Sequence, residues 1–444
     1  MKKALLKLCS ALLLISILLT SAGCSLDNGT DTPSENGQTN GDPSESNKAP
    51  VYSGELELTG SVDLMKDVSG DSTAARPADD RFIYSQAAFG LNLFKKSIDN
   101  EKNSLISPLS VMLALAMTAN GAEGETLAEM EALLGGDIPI GELNEYLRTY
   151  MGSLPSSEKA RLEIANSIWF RDDEKMITVK DSFLKNNANY YGASVYKSPF
   201  DDSTVKDINN WVAHKTEGMI TDIVNEIPPL VVMHIINAIC FDAEWLSPYN
   251  SEYDVLPGSF HGLSGESDAE LMWSEEGRFV SDDNARGFIK KYKNGYSFMA
   301  ILPNESISLS DYINTLEGDD LVKLYKNAAY VNVNAALPKF KYEYSVSLVD
   351  SLKALGMNKA FTGGFGNLGS SPLGEIFISN VSHKTFIEVN NMGTRAAAVT
   401  DIEMSVESCP PRVENVVLDR PFLYAIVDDA TGLPIFIGTL LDVQ

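Results

Sequence analysis

Cysteine and histidine are scarce in this 444-residue chain, which holds four of each. Cysteines at 9, 24, 240 and 409 make no disulfide framework. Cys240 lies in the apolar run 235–241 and is expected to be an inert core thiol, with no bond to Cys409. The histidines form no His-Glu-x-x-His pair, and there is no Cys-x-x-Cys pair and no glycine loop opening a helix after a strand. Gly363-Gly364-Phe365-Gly366 reads as a surface turn. Neither a metal, nor a cofactor, nor catalytic chemistry of the chain's own is therefore expected. Positive charge is short as well: 35 Lys and Arg stand against 61 Asp and Glu, a formal −26, which argues against nucleic acid as a partner. There is no internal repeat and no linker to a second globular domain.

What is present begins with a leader. Lys2 and Lys3 precede the apolar run 11–19, too short to span a bilayer, and Ser21-Ala22-Gly23-Cys24 follows. Residues 1–23 read as a lipoprotein signal peptide, because a cysteine after small residues resembles a bacterial lipobox in which Cys24 becomes the lipidated first residue. Ser21 stands where that pattern usually has a branched aliphatic. The expectation is an exported protein, lipid-anchored at the bacterial cell surface, with plain secretion as the alternative. Loss of Lys2, Lys3 and Lys7 with the leader takes the charge to −29, which would speed encounter with a cationic partner. Residues 24–50 are rich in Ser, Asn, Gly, Asp and Thr and form a flexible tether. Residues 51–80 are an N-terminal extension with one short alternating stretch, and 81–444 form the main domain.

Within that domain helix and strand signals mix, which predicts one α+β unit. Ile83, Ala87, Leu91, Phe94 and Ile98 recur at helical spacing. Ser107-Pro108 supplies an N-cap and a first-turn proline before a helix apolar on all sides, which must be buried. Leu348, Leu352 and Leu355 form a stripe ended by Gly356, and 422–427 and 433–437 flank a hairpin turn. The segment 394–408 stands apart. Thr394, Ala396, Ala398, Thr400, Ile402, Met404 and Val406 make one small or apolar row, and Arg395, Asp401, Glu403, Ser405 and Glu407 a polar one. That is a half-buried strand, bounded by Gly393 and by Pro410-Pro411, in a place that otherwise reads as an exposed loop.

Val381-Ser382-His383-Lys384-Thr385-Phe386-Ile387-Glu388-Val389-Asn390-Asn391-Met392 before this segment and Asp419-Arg420-Pro421-Phe422-Leu423-Tyr424 after it resemble the serpin family. Asn103 to Ser110, Asn166-Ser167-Ile168-Trp169-Phe170, Ile208-Asn209-Asn210-Trp211-Val212, Asn237 with Trp245, and Leu337-Pro338-Lys339-Phe340 fall in the family's order. The resemblance implies a fold of three β-sheets with about nine helices and an exposed reactive-centre loop. It makes Gly393, Thr394, Arg395, Ala396, Ala397, Ala398, Val399 and Thr400 a hinge, and gathers Ser107, Ser110, Asn237 and His383 beneath the main sheet where its central strands part. Trp211 and Trp245, His214 and His234 are expected to be structural.

The activity so implied is suicide-substrate inhibition of a serine protease, with a cysteine protease as the alternative. The protease cuts the loop, and the freed hinge inserts into the main sheet before the acyl-enzyme can hydrolyse. Counting from Gly393 puts the reactive bond at Glu407-Ser408, with Val406 as the alternative bait; counting back from Pro421-Phe422 disagrees by about three residues. Glu407 implies a glutamate-specific target and Val406 an elastase-like one. The partner is then an extracellular serine protease in a covalent complex, the membrane is reached through the lipid anchor, and a monomer is expected. The alternatives are a non-inhibitory serpin and a surface solute-binding lipoprotein.

Overall fold

Twelve consecutive buried residues set the centre of the structure. In the computed structural model, which describes residues 56–71, 74–229, 231–394 and 413–443, the helix Pro108–Ala119 is buried along its whole length. Ser107 caps it as expected, its hydroxyl accepting from the Ser110 N–H, and Pro108 occupies the first turn. Eight further α-helices are present among the described residues, of which Asp80–Ser97, Gly124–Leu134, Ile140–Ser153 and Asp181–Tyr191 pack against it; the Asp79 cap of the first accepts from the Phe82 N–H.

The described strands form sheets of seven, six, four and two strands. The two-stranded pair, Gly369–Ser370 with Thr178–Val179, is additional to the three sheets expected. The six-stranded sheet carries the hairpin of Phe422–Asp428 and Pro434–Leu440, and the four-stranded sheet runs in the order Val413–Val417, Asn332–Pro338, Gly265–Glu276, Val255–Gly262. The seven-stranded sheet runs Val62–Asp63, Ser194–Ser198, Ala160–Arg171, Met233–Glu244, Gly393–Thr394, Val381–Val389, Phe340–Ser347. Its strand Met233–Glu244 alternates between two cores. Ile235, Ile239, Phe241 and Ala243 join the large core shared with Pro108–Ala119, while Ile236 and Ala238 meet Ile208, Trp211 and Val212 of the helix Asp202–Lys215 on the other side. A strand buried on both faces reads as one continuous apolar run, which is how 235–241 reads.

One expectation needs correction. Gly363 and Phe365 are buried, because Thr126 of the helix Gly124–Leu134 donates to the Gly363 carbonyl and the Glu123 N–H bonds to Gly364; the glycine turn is packed, not superficial. The N-terminal extension packs on this domain. Asp207 accepts from the backbone N–H groups of Thr59, Gly60 and Ser61 and from the hydroxyls of Thr59 and Ser61, and Leu56 and Leu58 pack on the Trp169–Trp211 cluster. These bonds hold the Asp207 carboxyl below its ordinary range despite burial, which by itself would raise it.

Candidate functional site

The two central strands of the seven-stranded sheet meet at one end and part at the other. Residues 381–385 pair in parallel with 235–239. Past that point no ladder joins them until Gly393 and Thr394 fill the gap, Gly393 opposite Glu244 and Thr394 between Ala243 and Val389, antiparallel to both. The sheet is therefore a closed parallel seam at one end and a wedge of two hinge residues at the other.

The closed end holds all four residues expected there. Asn237 Nδ2 donates to the Ser110 carbonyl at 2.7 Å and to Ser110 Oγ at 2.5 Å, and its Oδ1 accepts from His383 Nδ1 at 2.5 Å. His383 Nε2 accepts the Ser107 N–H at 3.2 Å, and Ser107 Oγ donates to the Ile435 carbonyl. All four side chains are fully buried. The imidazole thus accepts at one nitrogen and donates at the other, an arrangement only its neutral form can make. Burial agrees, pushing its pKa down to about 3. Asn166, on the neighbouring strand, joins the cluster by accepting from Asn237 Nδ2. The sequence marked its segment but not this role, since asparagine in an apolar strand signals a satisfied partner without naming it.

At the open end an aromatic platform holds the hinge. Asn294 (φ 64°) and Gly295 (φ 89°) turn the chain tightly after Tyr292, as a two-residue hairpin turn requires. Tyr292 stacks on Trp245 at 4.3 Å and its hydroxyl meets Thr394 Oγ1 at 2.5 Å. Trp245 bonds through its backbone N–H to Met392 O and through Nε1 to Asn390 O, and the Tyr249 N–H bonds to Asn391 O. Asn390 Oδ1 in turn accepts from the N–H groups of Met392 and Gly393. Thr394 is 1 % exposed, on the inward row that the alternation assigned to it. Trp245 was read as structural; it is structural for the hinge.

The loop returns at Val413–Val417, an edge strand paired in parallel with Asn332–Pro338. Arg395, Ala396, Ala397, Ala398, Val399 and Thr400 of the hinge, the bond Glu407-Ser408 with Val406, and Cys24 and Cys409 lie outside the described residues. Trp211 is in the second core, and His234 is buried with neither ring nitrogen hydrogen-bonded, its pKa pushed down to about 4 by burial.

Residues 84–443 match the family model for serpins, described as serine protease inhibitors. The chain is a serpin. It is 30% identical over 358 residues to a serine protease inhibitor of the jellyfish Cyanea capillata, covering 77% of this chain and 92% of that one. Among solved structures it is 49% identical to the thermophilic serpin tengpin in its native state, with a TM-score of 0.83 over 87% of this chain and all of tengpin's. Against tengpin in its latent state the TM-score is 0.75 over 84%. The fold class and the family resemblance are thereby established, and with them a protease as the general kind of partner that serpins act on.

Between pH 6.5 and about 3 the unfolded chain binds a proton that native His383 refuses, so its contribution to stability is complete above 6.5 and declines as pH falls. The expected slope is up to about 1.4 kcal/mol per pH unit. Denaturant unfolding between pH 4.5 and 7.5 checks this against His383→Gln, which should be less stable at neutral pH but decline more shallowly, His234 supplying part of what remains. Parallel slopes would contradict the assignment.

Proposed function

We propose that this serpin is a suicide-substrate inhibitor of a serine protease, and not itself an enzyme, trapping the acyl-enzyme by drawing its cut loop into the parted seam. The observation that carries the reading is the wedge at Gly393 and Thr394, because its register can be extended. Continuing antiparallel from Thr394, Ala396 would come opposite Phe241 and Ile387, Ala398 opposite Ile239 and Thr385, and Thr400 opposite Asn237 and His383. Residues 393–404 would then span the whole strand Met233–Glu244, a path of roughly 40 Å at about 3.3 Å per residue.

That path supports both the mechanism and the reactive bond. Small residues enter where the flanking side chains are large, and a hydroxyl arrives where the polar cluster must give up its His383 bond. Glu407 lies three residues past the last paired position, so an acyl-enzyme held there would be carried beyond the far end of the strand, and distortion of its oxyanion hole would stop deacylation. A cut at Arg412 is disfavoured, since Val413 is already in register with Asn332 and a protease there would press against a sheet. Bulky or charged inward hinge residues, which would favour a non-inhibitory serpin, are absent from 394–400. The target is a glutamate-specific or, by a one-residue shift to Val406, an elastase-like protease, with the negative charge favouring a cationic one.

Mixing the protein with a protease panel is expected to give an SDS-stable adduct and a released C-terminal peptide starting at Ser408, read by mass spectrometry. Ala396→Arg should turn the inhibitor into a substrate, because an unpaired charge facing Phe241 and Ile387 costs several kcal/mol to desolvate. Ala397→Arg, on the other row, should impair adduct formation far less. Full adduct formation by both variants would refute the insertion register.

We further infer that Cys24 carries a lipid that anchors the protein at a bacterial surface, the tether 24–50 giving the inhibitor reach. Cys24→Ala is expected to shift the protein from the membrane fraction to the medium. Unchanged fractionation would mean secretion by ordinary cleavage.

A further inference from the structure

Lys290 is a lysine where a core residue belongs. It follows the buried Phe288 and Ile289 on the strand Ala285–Lys291, is itself 3 % exposed, and pairs with Glu276 at 2.8 Å, whose side chain is 12 % exposed. Such a pair is rarely retained for stability, because desolvating two charges offsets their attraction and apolar replacements of similar volume do as well. Its placement gives it another use. The ammonium lies 4.1 Å from the Tyr249 ring and 5.5 Å from the Trp245 ring, the two residues whose backbone amides hold the hinge turn at Asn391 and Met392. The carboxylate lies on the strand Gly265–Glu276, where Val333 pairs with Glu276 on one side and with Glu414 of the loop's returning strand on the other. Ser274 fixes that carboxylate with a 2.7 Å bond.

One buried ion pair therefore bridges the support of the loop's departing end and the sheet that holds its returning end. We propose that Lys290 is a positioning residue for inhibition: it ties the Trp245–Tyr249 platform to the four-stranded sheet, and so keeps Thr394 seated in the seam, ready to lead insertion when the loop is cut. The proposal rests on the inhibitory reading above and adds a residue to it. Encounter with the protease does not depend on this pair, but the race between insertion and hydrolysis does. Without the cation the platform loses its face contact, the hinge turn loosens, and more acyl-enzyme is hydrolysed before the loop has moved.

The test uses the full chain with Lys290→Met, Lys290→Arg and the double variant Lys290→Met/Glu276→Gln. For each, the stoichiometry of inhibition, the association rate and the melting midpoint are measured with a protease the wild type traps, together with hydrogen exchange at the Trp245 and Tyr249 amides in the protein alone. Lys290→Met leaves Glu276 unpaired and is expected to melt lower. The double variant should recover the midpoint and still need at least about threefold more inhibitor per protease, with association within about twofold of wild type and faster exchange at both amides. Lys290→Arg should retain wild-type behaviour, since a guanidinium keeps both the carboxylate and the ring faces. Wild-type stoichiometry or wild-type exchange in the double variant overturns the proposal. If the wild type traps no protease the inhibitory reading fails, and the exchange arm still decides: faster exchange in the double variant but not in Lys290→Arg upholds the tie, and unchanged exchange refutes it.

Discussion

Everything in this molecule turns on a parallel seam five residue pairs long, 235–239 against 381–385, at the middle of an otherwise antiparallel neighbourhood. A parallel ladder is slightly weaker per residue than an antiparallel one. A strand inserted between these two would run antiparallel to both, replacing one weaker ladder by two stronger ones and closing the gap beyond residue 239. In the proposed mechanism the intact chain would not complete that exchange, because the chain is held on either side of 395–412: by the hinge turn on the Trp245–Tyr249 platform and by the strand Val413–Val417. Cutting between those anchors releases one of them. On that proposal the driving force would come from pairing geometry.

A seam that is to open, as proposed, would not be sealed by apolar interdigitation alone. Ser107, Ser110, Asn166, Asn237 and His383 close it with hydrogen bonds that are satisfied and can be re-formed with a new partner. The capped helix Pro108–Ala119 supplies the fixed side of these bonds. It is buried along its whole length. The far face of the sheet carries the helix Asp202–Lys215, itself tied down by the residues that cap Asp207, so the moving element is enclosed on both sides by elements rooted elsewhere.

How much of this was legible in the sequence depended on how local the cause was. The capped apolar helix, the hairpin after 422 and the glycine-ended helix Val349–Ala354 were legible because their signals lie within one turn or one heptad. The cluster of Ser107, Ser110, Asn237 and His383 was recognisable only through family resemblance, since its members are up to 276 residues apart. Asn166 and Tyr292 escaped because their partners, Asn237 and Thr394, are set by strand register, which no alternation pattern encodes. The Asp207 clamp escaped for a similar reason: its partners, the backbone amides of 59–61 and the hydroxyls of Thr59 and Ser61, lie up to 148 residues from Asp207 in the chain. The glycine turn at 363–366 was misjudged as superficial because glycine content reports conformation and not burial.

The account stands or falls on whether the seam accepts the loop, and the most direct measurement is a thermal melt of the intact protein beside the same protein nicked once within residues 395–412, both fragments retained. An inserted strand should raise the midpoint of the nicked form well above that of the intact form. Equal midpoints, or a lower one after cleavage, would mean that the seam does not open to the loop and that the parted strands serve some other purpose.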